Sequence, residues 1–256
     1  MIHPTAIIEP GARLAPDVSV GAYSVIGGQV EIGAGTVVGP HVVIEGRTRI
    51  GRNNRISQFA SLGGAPQDKK YAGEDTAVEI GDGNTIREYV TINRGTWSDA
   101  RVTRVGNDNW IMAYVHFAHD CQIGNHAIFA NACELAGHVQ VGDWAILGAT
   151  TLVHQFVHIG AHSFTGMGTY LDRDLPPYVR AAGNMAQPYG INSVGLRRRG
   201  LTGEKIDAIK RAYKTLYRQG LGLEEAKAEL EKQAAGLPEV ALFLDFIKAS
   251  KRGFIR

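Results

Sequence analysis

The sequence predicts a mainly β protein, in which a parallel β-helix is followed by a small α-helical domain. Large apolar residues recur at every sixth position from Ile8 to Leu62, and a second run of the same period extends from Val105 to Ile159. A period of six differs from the period of two of an ordinary strand and from the 3.6 of a helix, and it is typical of hexapeptide-repeat β-helices. Glycine follows many of these residues, which suits the tight bends of a narrow coil.

Each hexad supplies one short strand and one bend, so three hexads, or eighteen residues, complete one triangular coil. Residues eighteen apart should therefore stack about 4.8 Å apart along the axis. From Ile8 to Leu171 the chain has room for about nine coils, less its loops. The period thus converts separations along the sequence into distances.

Two interruptions break the hexads. The first, over residues 63–77, carries polar residues such as Lys69, and the hexads resume at Ile80; we expect an extruded loop there. The second lies between Ile92 and Val105 and shifts the phase by one residue. Polar and aromatic loops that leave a solenoid are usually functional. We therefore expect a functional role for the first loop. The second loop can be functional or can simply cap a corner of the solenoid.

The hexads end near Pro176, and apolar residues recur at helical spacing from Thr202 onward. We expect the β-helix over residues 1–190, with the extruded loop near 63–77, and a helical domain over residues 191–256. A helical domain at this end covers strand edges that a solenoid would otherwise expose.

The composition fits a globular protein with a repetitive β structure, since 44% of the 256 residues are hydrophobic and 32 are glycine. No apolar stretch is long enough to span a membrane, and the N-terminus carries no secretory signal, so we expect the cytoplasm. The net charge of +2 gives no overall indication of nucleic-acid binding. Cys121 and Cys133 fall at the small position of their hexads and are interpreted as reduced packing residues.

Basic residues are concentrated where the helical domain begins: Arg197, Arg198, Arg199, Lys205, Lys210, Arg211, Lys214 and Arg218. Scattered lysines usually form a solvated helix face. Three consecutive arginines can instead hold a phosphate or diphosphate, or dock an acidic protein.

Four of the nine histidines lie at related positions in the second run of hexads: His116, His119, His138 and His154. His119 is one coil from Gly137 and two coils from Gln155, so the four histidines flank one column of the solenoid. A single histidine on a solenoid wall is usually a surface residue. Four near one column, with Asp120 beside His119, indicate an active site.

Two chemistries fit such a cluster. Neutral imidazoles can bind zinc, as in hexapeptide-repeat carbonic anhydrases, and one histidine can instead act as a general base on a hydroxyl group. The sequence favours the base, because Asp120 can orient the imidazole of His119 and the backbone amide of Gly137 can serve as an oxyanion donor. No spacing specific to zinc is found.

Five segments carry a family resemblance: His116–Cys121, Leu135–His138, Val153–Phe156, Gln67–Glu74 and Gly195–Gly200. They are similar to those of UDP-N-acetylglucosamine acyltransferases, and the likeness runs nearly the full length of the chain. The resemblance implies a left-handed β-helix, a homotrimer, and transfer of an R-3-hydroxyacyl group from acyl carrier protein to the glucosamine 3-hydroxyl of UDP-N-acetylglucosamine. This is the first step of lipid A biosynthesis, and the resemblance implies no metal and no tightly bound cofactor.

By this resemblance, His119 looks like the general base, Asp120 its partner and the Gly137 amide the oxyanion donor. Further positions match those that line the substrate cleft between subunits: Asp68, Lys70, His116, His138, His154 and Gln155. Three more match positions that hold the nucleotide or the phosphopantetheine arm of the carrier protein: Asn192, Arg198 and Arg199.

Four positions depart from the family pattern. Met185 and Asn93 stand where histidine is common, and Val194 stands where a glutamate lies near the ribose, so the nucleotide contacts are in question. Met167 stands where members that prefer long acyl chains have glycine. It lies about 13 Å beyond His119 along the axis, the length of a chain of roughly ten carbons, so we expect a 3-hydroxydecanoyl donor. The alternative is that Met167 fills a gap in the core.

Other functions are less consistent with the sequence. A later N-acyltransferase of the same pathway would need a sugar-binding domain before the hexads, which begin by Ile8. Metal analysis would identify a zinc lyase, and a purely structural scaffold does not account for the clustered histidines. The acceptor sugar can carry a 3-hydroxyl or a 3-amino group, since a histidine base can serve either.

Overall fold

The computed structural model describes residues 1–97 and 101–256, and it contains the predicted β-helix. In these ranges the strands, in chain order, are β1 (Ile7–Ile8), β2 (Arg13–Leu14), β3 (Ser19–Val20), β4 (Val25–Ile26), β5 (Glu31–Ile32), β6 (Val37–Val38), β7 (Val43–Ile44), β8 (Arg47–Ile50), β9 (Arg55–Ile56), β10 (Ser61–Gly64), β11 (Ala77–Ile80), β12 (Thr85–Ile86), β13 (Thr91–Asn93), β14 (Val102–Val105), β15 (Trp110–Ile111), β16 (His116–Phe117), β17 (Gln122–Ile123), β18 (Ile128–Phe129), β19 (Glu134–Leu135), β20 (Gln140–Val141), β21 (Ile146–Leu147), β22 (Leu152–Val153), β23 (His158–Ile159), β24 (Phe164–Thr165), β25 (Tyr170–Leu171), β26 (Val179–Ala182) and β27 (Gln187–Ile191). Most of them contain two residues, as a six-residue repeat with a bend requires.

Every third strand joins the same sheet, which gives the coil three walls. In the described part of the chain, sheet 1 runs from β1 to β25 and sheet 2 from β2 to β23. Sheet 3 runs from β3 to β24, continues with β26 and ends with the antiparallel strand β27. Paired residues are eighteen apart, as with Ile7 and Val25 or His116 and Glu134. The eighteen-residue coil is therefore confirmed.

The two interruptions lengthen the coils that contain them. Leu62 pairs with Ile92, thirty residues later, because the loop between β10 and β11 leaves the wall. Ile92 pairs with Phe117, twenty-five residues later, across the loop between β13 and β14; residues 98–100 of that loop lie outside the described ranges. The eighteen-residue spacing holds again from β14 to β25, and it falls to sixteen where β24 pairs with β26.

The interior is filled by the apolar residues of the six-residue pattern. Phe117 and Phe129 are fully buried and meet edge to face, with ring centroids 4.8 Å apart. Cys121 and Cys133 are buried free thiols, and burial raises the pKa of the Cys121 thiol to about 12 and that of Cys133 to about 11. Thiols that stay protonated are poor nucleophiles, which agrees with a packing role.

Each wall meets the next at a corner, and we name the corners by the sheets that they join: the 1–2, 2–3 and 3–1 corners. At the 1–2 corner, Asp120 (φ 59°) and His138 (φ 63°) adopt the left-handed backbone conformation in equivalent turns. The His138 N–H donates to the His119 carbonyl of the preceding coil at 3.0 Å. The corners therefore stack into regular columns.

The outer faces of the three sheets differ in polarity. On sheet 2 the outward residues are charged or polar: Arg13, Glu31, Arg49, Glu79, Arg104, Gln122, Gln140 and His158. Sheets 1 and 3 instead expose large apolar residues, including Leu152 and Trp110. At the 3–1 corner, exposed rings stack with centroids 4.8–5.4 Å apart in one column: Tyr23, His41, Phe59, Tyr89 and Tyr114. Sheet 2 suits solvent, whereas sheets 1 and 3 have the character of a contact surface.

The helices of the described ranges follow the β-helix: α1 (Ser193–Arg198), α2 (Gly203–Tyr217), α3 (Leu223–Ala234) and α4 (Pro238–Ala249). The sequence does not predict the short helix α1. Thr202 caps α2 through a bond from the Lys205 N–H to its hydroxyl. Helix α2 contacts β27, and the Ile255 N–H donates to the Asp174 carbonyl at 2.9 Å, so the helices pack on the last strands. No described helix combines the length and apolar character needed to cross a bilayer.

Candidate active site

The 1–2 corner brings together the residues of the predicted column. His119 and Asp120 follow β16, Gly137 and His138 follow β19, and Gln155 follows β22. Backbone hydrogen bonds join each of these turns to the turn of the next coil. The eighteen-residue spacing thus places three turns over one another along one edge of the β-helix.

His119 and Asp120 form a hydrogen-bonded pair. The distance from His119 Nδ1 to Asp120 Oδ2 is 3.0 Å, and the Asp120 side chain is fully buried whereas that of His119 is 18% exposed. An ionised carboxylate only accepts hydrogen bonds, so it holds the proton on Nδ1 and leaves Nε2 as the basic nitrogen. This is the arrangement of a general base with an orienting acid.

The charge of Asp120 is stabilised by donors at its Oδ2. Burial by itself would raise the pKa of Asp120, but hydrogen bonds from His119 and from the hydroxyl and amide of Thr96 outweigh it, and the pKa lies below its ordinary value. The carboxylate therefore stays ionised at neutral pH. Its negative charge is available to stabilise a protonated His119 imidazole.

Gly137 lies against the imidazole of His119. A β-carbon at position 137 would be 2.5 Å from His119 Cε1 and 2.7 Å from Nε2, well inside the contact distance of two such atoms. The N–H of Gly137 has no hydrogen-bond acceptor among the residues that the structure describes. A backbone donor of this kind beside the base is suited to an oxyanion.

A cavity of about 680 Å³ opens over this edge. The turns of the 1–2 corner contribute His119, His138 and Gln155 to its lining, and the extruded loop contributes Asp68 and Lys70. The structure therefore brings five of the predicted site residues to one cavity. Its remaining lining includes Tyr71, Thr96, Trp97 and Phe156.

Arg94 fastens the extruded loop to the β-helix. Its Nε donates to the Tyr71 hydroxyl at 2.9 Å, and that hydroxyl donates to the Glu74 carbonyl at 3.0 Å. Within the loop, the Lys70 N–H donates to Asp68 Oδ1 at 2.9 Å. The two predicted loop residues are thus held in one turn whose position depends on Arg94.

His116 and His154 line a second groove, of about 360 Å³, on sheet 1. Leu152 and Tyr170 lie on the same face and contribute apolar surface to it. His116 and His154 therefore do not line the cavity that contains His119.

Both of these histidines have fixed Nδ1 partners. His116 Nδ1 is 2.7 Å from the Thr91 hydroxyl, and burial lowers the pKa of His116, so the ring is neutral at neutral pH. Arg252 Nη2 donates to His154 Nδ1 at 2.9 Å. The same Nδ1 lies 3.2 Å from the Gln155 carbonyl oxygen, so His154 is placed between a donor and an acceptor.

Arg199 lies at the 2–3 corner and does not line the His119 cavity within one protomer. Its guanidinium carbon is 5.2 Å from the centre of the Trp144 ring, and its Nη1 is 3.2 Å from His162 Nδ1. Burial, together with the nearby guanidinium, lowers the pKa of His162 to about 4, so the neutral ring accepts from Arg199. Arg199 is therefore held in place without a carboxylate partner among these contacts.

The other two residues of this predicted set also lie apart from His119. Arg198 is exposed on α1. Asn192 is buried and caps α1, since its Oδ1 accepts from the Gly195 N–H at 3.1 Å and its Nδ2 donates to the His162 carbonyl at 3.2 Å. Both polar atoms of the Asn192 side chain thus have partners within the protomer.

Met167 lies at the 3–1 corner and is 78% exposed, so the alternative that it fills a core gap is wrong. Within one protomer Met167 shares neither a corner nor a cavity with His119. The estimate from the sequence gives the distance along the axis, and that distance does not specify the corner on which a residue lies. Of the other departures, Met185 and Val194 are exposed. Asn93 is buried, and its Oδ1 has no partner among the described residues.

His119, Asp120 and His138 each place one potential metal-ligating atom within 4.8 Å of the others. However, Asp120 Oδ2 already accepts three hydrogen bonds, from Thr96 and His119. The His119 and His138 rings meet edge to face with centroids 5.0 Å apart. The hydrogen bonding of the pair therefore favours a general base over a metal site.

The spacing of the hexads does not predict the cavity residues that come from outside the repeat. Thr96 and Trp97 reach the cavity from the second loop, and Arg94 and Arg252 hold other residues of the site. The aromatic and polar content of the second loop is the sequence signal for Arg94, Thr96 and Trp97; Arg252 lies outside that loop, in the C-terminal segment. The loop that the sequence leaves undecided therefore borders the site.

Replacing Gly137 with alanine tests the close packing at the column. The new β-carbon would have to displace the His119 ring by about 1 Å to reach ordinary contact distance. We expect a crystal structure of Gly137→Ala to show the Nδ1–Oδ2 bond to Asp120 lengthened or broken. Gly203→Ala is the control, since its β-carbon meets nothing within 4 Å. An imidazole that stays in place in Gly137→Ala would contradict this geometry.

Comparison with known proteins identifies related sequences along the whole chain. The family model described as Udp N-acetylglucosamine O-acyltransferase, Domain 2, matches residues 174–255, and the model for the bacterial transferase hexapeptide (six repeats) matches residues 103–137. The "Acyl-[acyl-carrier-protein]--UDP-N-acetylglucosamine O-acyltransferase" of Herminiimonas arsenicoxydans is 59% identical over 260 aligned positions, covering 100% of this chain and 99% of the relative. The protein of the same name from Thiobacillus denitrificans is 58% identical, with the same coverage of both chains.

Solved structures agree with this. The UDP-N-acetylglucosamine acyltransferase of Francisella novicida superposes with a TM-score of 0.98 at 43% identity, covering 100% of this chain and 94% of that one. A structure from Acinetobacter baumannii has a TM-score of 0.97 at 45% identity, covering 100% and 99%. With this identity over its full length, the chain is a left-handed β-helix protein that belongs to the UDP-N-acetylglucosamine O-acyltransferase family.

Proposed function

We propose that the chain transfers an R-3-hydroxyacyl group from acyl carrier protein to the glucosamine 3-hydroxyl of UDP-N-acetylglucosamine, the first step of lipid A biosynthesis. Family membership over the full chain supports the reaction. The chemistry rests on one observation, the His119–Asp120 pair that lies beside the Gly137 amide in a cavity. Because nucleotide sugars and acyl carrier protein are cytoplasmic in bacteria, we place the reaction in the cytoplasm.

In this proposal His119 transfers one proton twice. Its Nε2 accepts the proton of the sugar 3-hydroxyl while the hydroxyl oxygen attacks the carbonyl carbon of the thioester. The carbonyl oxygen becomes an oxyanion and accepts a hydrogen bond from the Gly137 N–H. When the C–S bond breaks, the imidazolium gives its proton to the departing sulfur, and the products are the ester and the free thiol of the carrier arm.

Asp120 and the thioester account for the rest of the chemistry. The Asp120 carboxylate stabilises His119 while it carries the extra proton, and it keeps the imidazole in the tautomer with Nε2 free. A thioester is already an activated acyl donor, so the alcohol is the group that needs activation. The site accordingly offers His119 to activate the alcohol and one backbone amide, that of Gly137, to bind the oxyanion.

The cavity suits a sugar nucleotide. Asp68 offers a carboxylate that can accept from sugar hydroxyls, and Lys70 offers an ammonium that can pair with a diphosphate. Both residues belong to the extruded loop, and they line the same cavity as His119. We therefore assign the loop to acceptor binding.

We infer a homotrimer with the 3–1 corners at the threefold axis. The polarity of the outer faces supports this arrangement, since sheets 1 and 3 expose large apolar residues such as Leu152 and Trp110 on either side of the aromatic column, whereas the outward residues of sheet 2 are charged or polar. With that corner at the axis, sheet 1 of one protomer faces sheet 3 of the next. The 1–2 corner of one protomer then lies beside the 2–3 corner of its neighbour.

This arrangement would complete the cavity with residues that lie apart from it in one protomer. The neighbouring protomer's 2–3 corner carries Arg199, and its α1 carries Arg198. Two guanidinium groups at the edge of the cavity suit the diphosphate of the acceptor or the phosphate of the carrier arm. We propose this role for both arginines.

The groove on sheet 1 suits the acyl chain. Leu152 and Tyr170 line it, and in the proposed trimer the neighbouring protomer's sheet 3, with Trp110 and Phe164 facing outward, would cover it. Met167 lies at the 3–1 corner, three residues before Tyr170, the first residue of β25 on sheet 1. We propose that this exposed methionine ends the groove and limits the acyl chain to roughly ten carbons.

Replacing His119 with alanine tests the base. We expect transfer to fall by about 10²–10⁴-fold, since removing a general base costs this much, with no change in unfolding temperature. Mass detection of products from UDP-N-acetylglucosamine and 3-hydroxydecanoyl carrier protein measures it, and the 3-amino analogue of the acceptor in a parallel assay distinguishes the two sugars. His158→Ala, on the outer face of sheet 2, should keep full activity. A His119→Ala protein that still transfers would rule out the base.

A charge in the aromatic column tests the trimer. We expect Tyr89→Asp to dissociate the trimer, because the aspartate would be desolvated between rings at the proposed axis. Sedimentation analysis should give three chains for the wild-type protein and one for the variant. Gln140→Asp places the same charge on sheet 2 and should leave three chains. A monomeric wild-type protein, or equal behaviour of the two variants, would refute this assembly.

Shortening Met167 tests the acyl limit. We expect Met167→Gly to gain activity on 3-hydroxyacyl donors longer than ten carbons by about tenfold or more, because the side chain no longer ends the groove. A ladder of donor lengths measures the ratio of kcat/KM values, and the wild-type protein should prefer the ten-carbon donor. An unchanged preference in Met167→Gly would show that another residue sets the length.

A further inference from the structure

We infer that Thr96 is a positioning residue for the His119–Asp120 pair, delivered by the loop between β13 and β14. The inference rests on the proposed function, because it assigns Thr96 a role in that reaction. Thr96 does not touch the reacting atoms of His119; it acts through Asp120.

Two bonds from one residue hold the reactive oxygen of Asp120. The Thr96 hydroxyl donates to Asp120 Oδ2 at 2.6 Å, and the Thr96 N–H donates to the same oxygen at 3.0 Å. His119 Nδ1 is the third group on that oxygen, at 3.0 Å. Thr96 is 5% exposed, so these bonds are shielded from water.

The other oxygen of the same carboxylate differs in its hydrogen bonding. Asp120 Oδ1 is buried and has no hydrogen-bond partner among the described residues. A rotation of the carboxylate out of its present plane would therefore break the three hydrogen bonds at one oxygen without forming any at the other. Because two of the three bonds come from Thr96, Thr96 fixes the rotation of the group on which the orientation of His119 depends.

The backbone of the second loop is shaped to reach Asp120. The Gly95 N–H donates to the Ala77 carbonyl at 3.2 Å, which ties the loop to β11. A β-carbon at Gly95 would be 2.7 Å from Asp120 Oδ1 and 2.3 Å from Val102 N, so only glycine allows this approach. The Asp120 N–H in turn donates to the Thr103 hydroxyl at 2.9 Å, on the strand that ends the loop.

The second loop thus provides hydrogen-bond donors that an uninterrupted hexad does not. Among the described residues of the hexads, only His119 bonds to Asp120 Oδ2; the other two donors to that oxygen belong to Thr96. The second loop brings a hydroxyl and an amide to one oxygen. The loop that shifts the phase of the repeat is therefore part of the catalytic apparatus.

Valine and serine at position 96 separate a positioning role from a structural one. Thr96→Val keeps the shape and the backbone amide but removes the hydroxyl, and we expect kcat to fall by about 10–100-fold with KM for both substrates within about twofold. Thr96→Ser keeps the hydroxyl and should restore kcat to within about threefold. Thr76→Val is the control, because Thr76 is a buried threonine whose hydroxyl has no partner among the described residues.

A double-mutant comparison completes the test. In an Asp120→Asn background, Thr96→Val should cause little further loss, because the two residues act as one unit. A wild-type protein without transfer activity would overturn the proposed function and this inference's catalytic role together, whereas an active wild type with equally active Thr96→Val would overturn the inference alone. A Thr96→Val defect confined to KM, or a serine variant as slow as the valine one, would also overturn it.

Discussion

Backbone hydrogen bonds between stacked coils determine where the groups of the site lie. The His138 N–H is bonded to the His119 carbonyl and the Phe156 N–H to the Gly137 carbonyl, both at 3.0 Å. Parallel pairing holds successive coils about 4.8 Å apart, so the imidazole of His119 packs against Gly137 with no room for a β-carbon. In the proposed mechanism, a base and an oxyanion donor are adjacent because two coils are adjacent.

The repeat does not by itself stabilise the buried charge that the site needs. Burying the Asp120 carboxylate costs free energy unless donors replace water, and the donors come largely from Thr96 in an insertion. The same insertion begins with Arg94, which holds Tyr71 of the extruded loop. Both departures from the hexad pattern therefore border one cavity, and each supplies polar groups that the walls lack.

The sequence predicts the walls and the column well, because burial repeats with a fixed period. The eighteen-residue spacing correctly brings His119, Gly137 and Gln155 to one edge. It does not predict Thr96 or Arg94, since the path of an insertion depends on contacts such as the bond from Gly95 to Ala77 rather than on periodicity.

The same spacing has a limit for distant residues. It gives the distance from His119 to Met167 along the axis but does not give the corner on which Met167 lies. Met167 follows His119 by two and two-thirds coils, and the remaining two-thirds of a coil places it on a different corner. Arg199 is likewise placed by tertiary contacts, with Trp144 and His162, that no short pattern encodes. Arg199 becomes part of the His119 site only if protomers assemble with corner 1–2 beside corner 2–3, whereas Met167 at the 3–1 corner is connected to it only through the groove on sheet 1. That shared site is the central claim of the proposed function.

Mixed trimers test this claim most directly. His119→Ala chains and Arg199→Ala chains, each inactive alone, would be co-expressed in equal amounts and the trimers carrying both purified by two affinity tags. If each site takes His119 from one protomer and Arg199 from its neighbour, every mixed trimer, whichever chain is present twice, keeps one intact site of its three, which is about a third of the sites. We therefore expect the mixed trimers to transfer at about a third of the wild-type rate. Activity no higher than that of the parents, or full activity of Arg199→Ala alone, would contradict it.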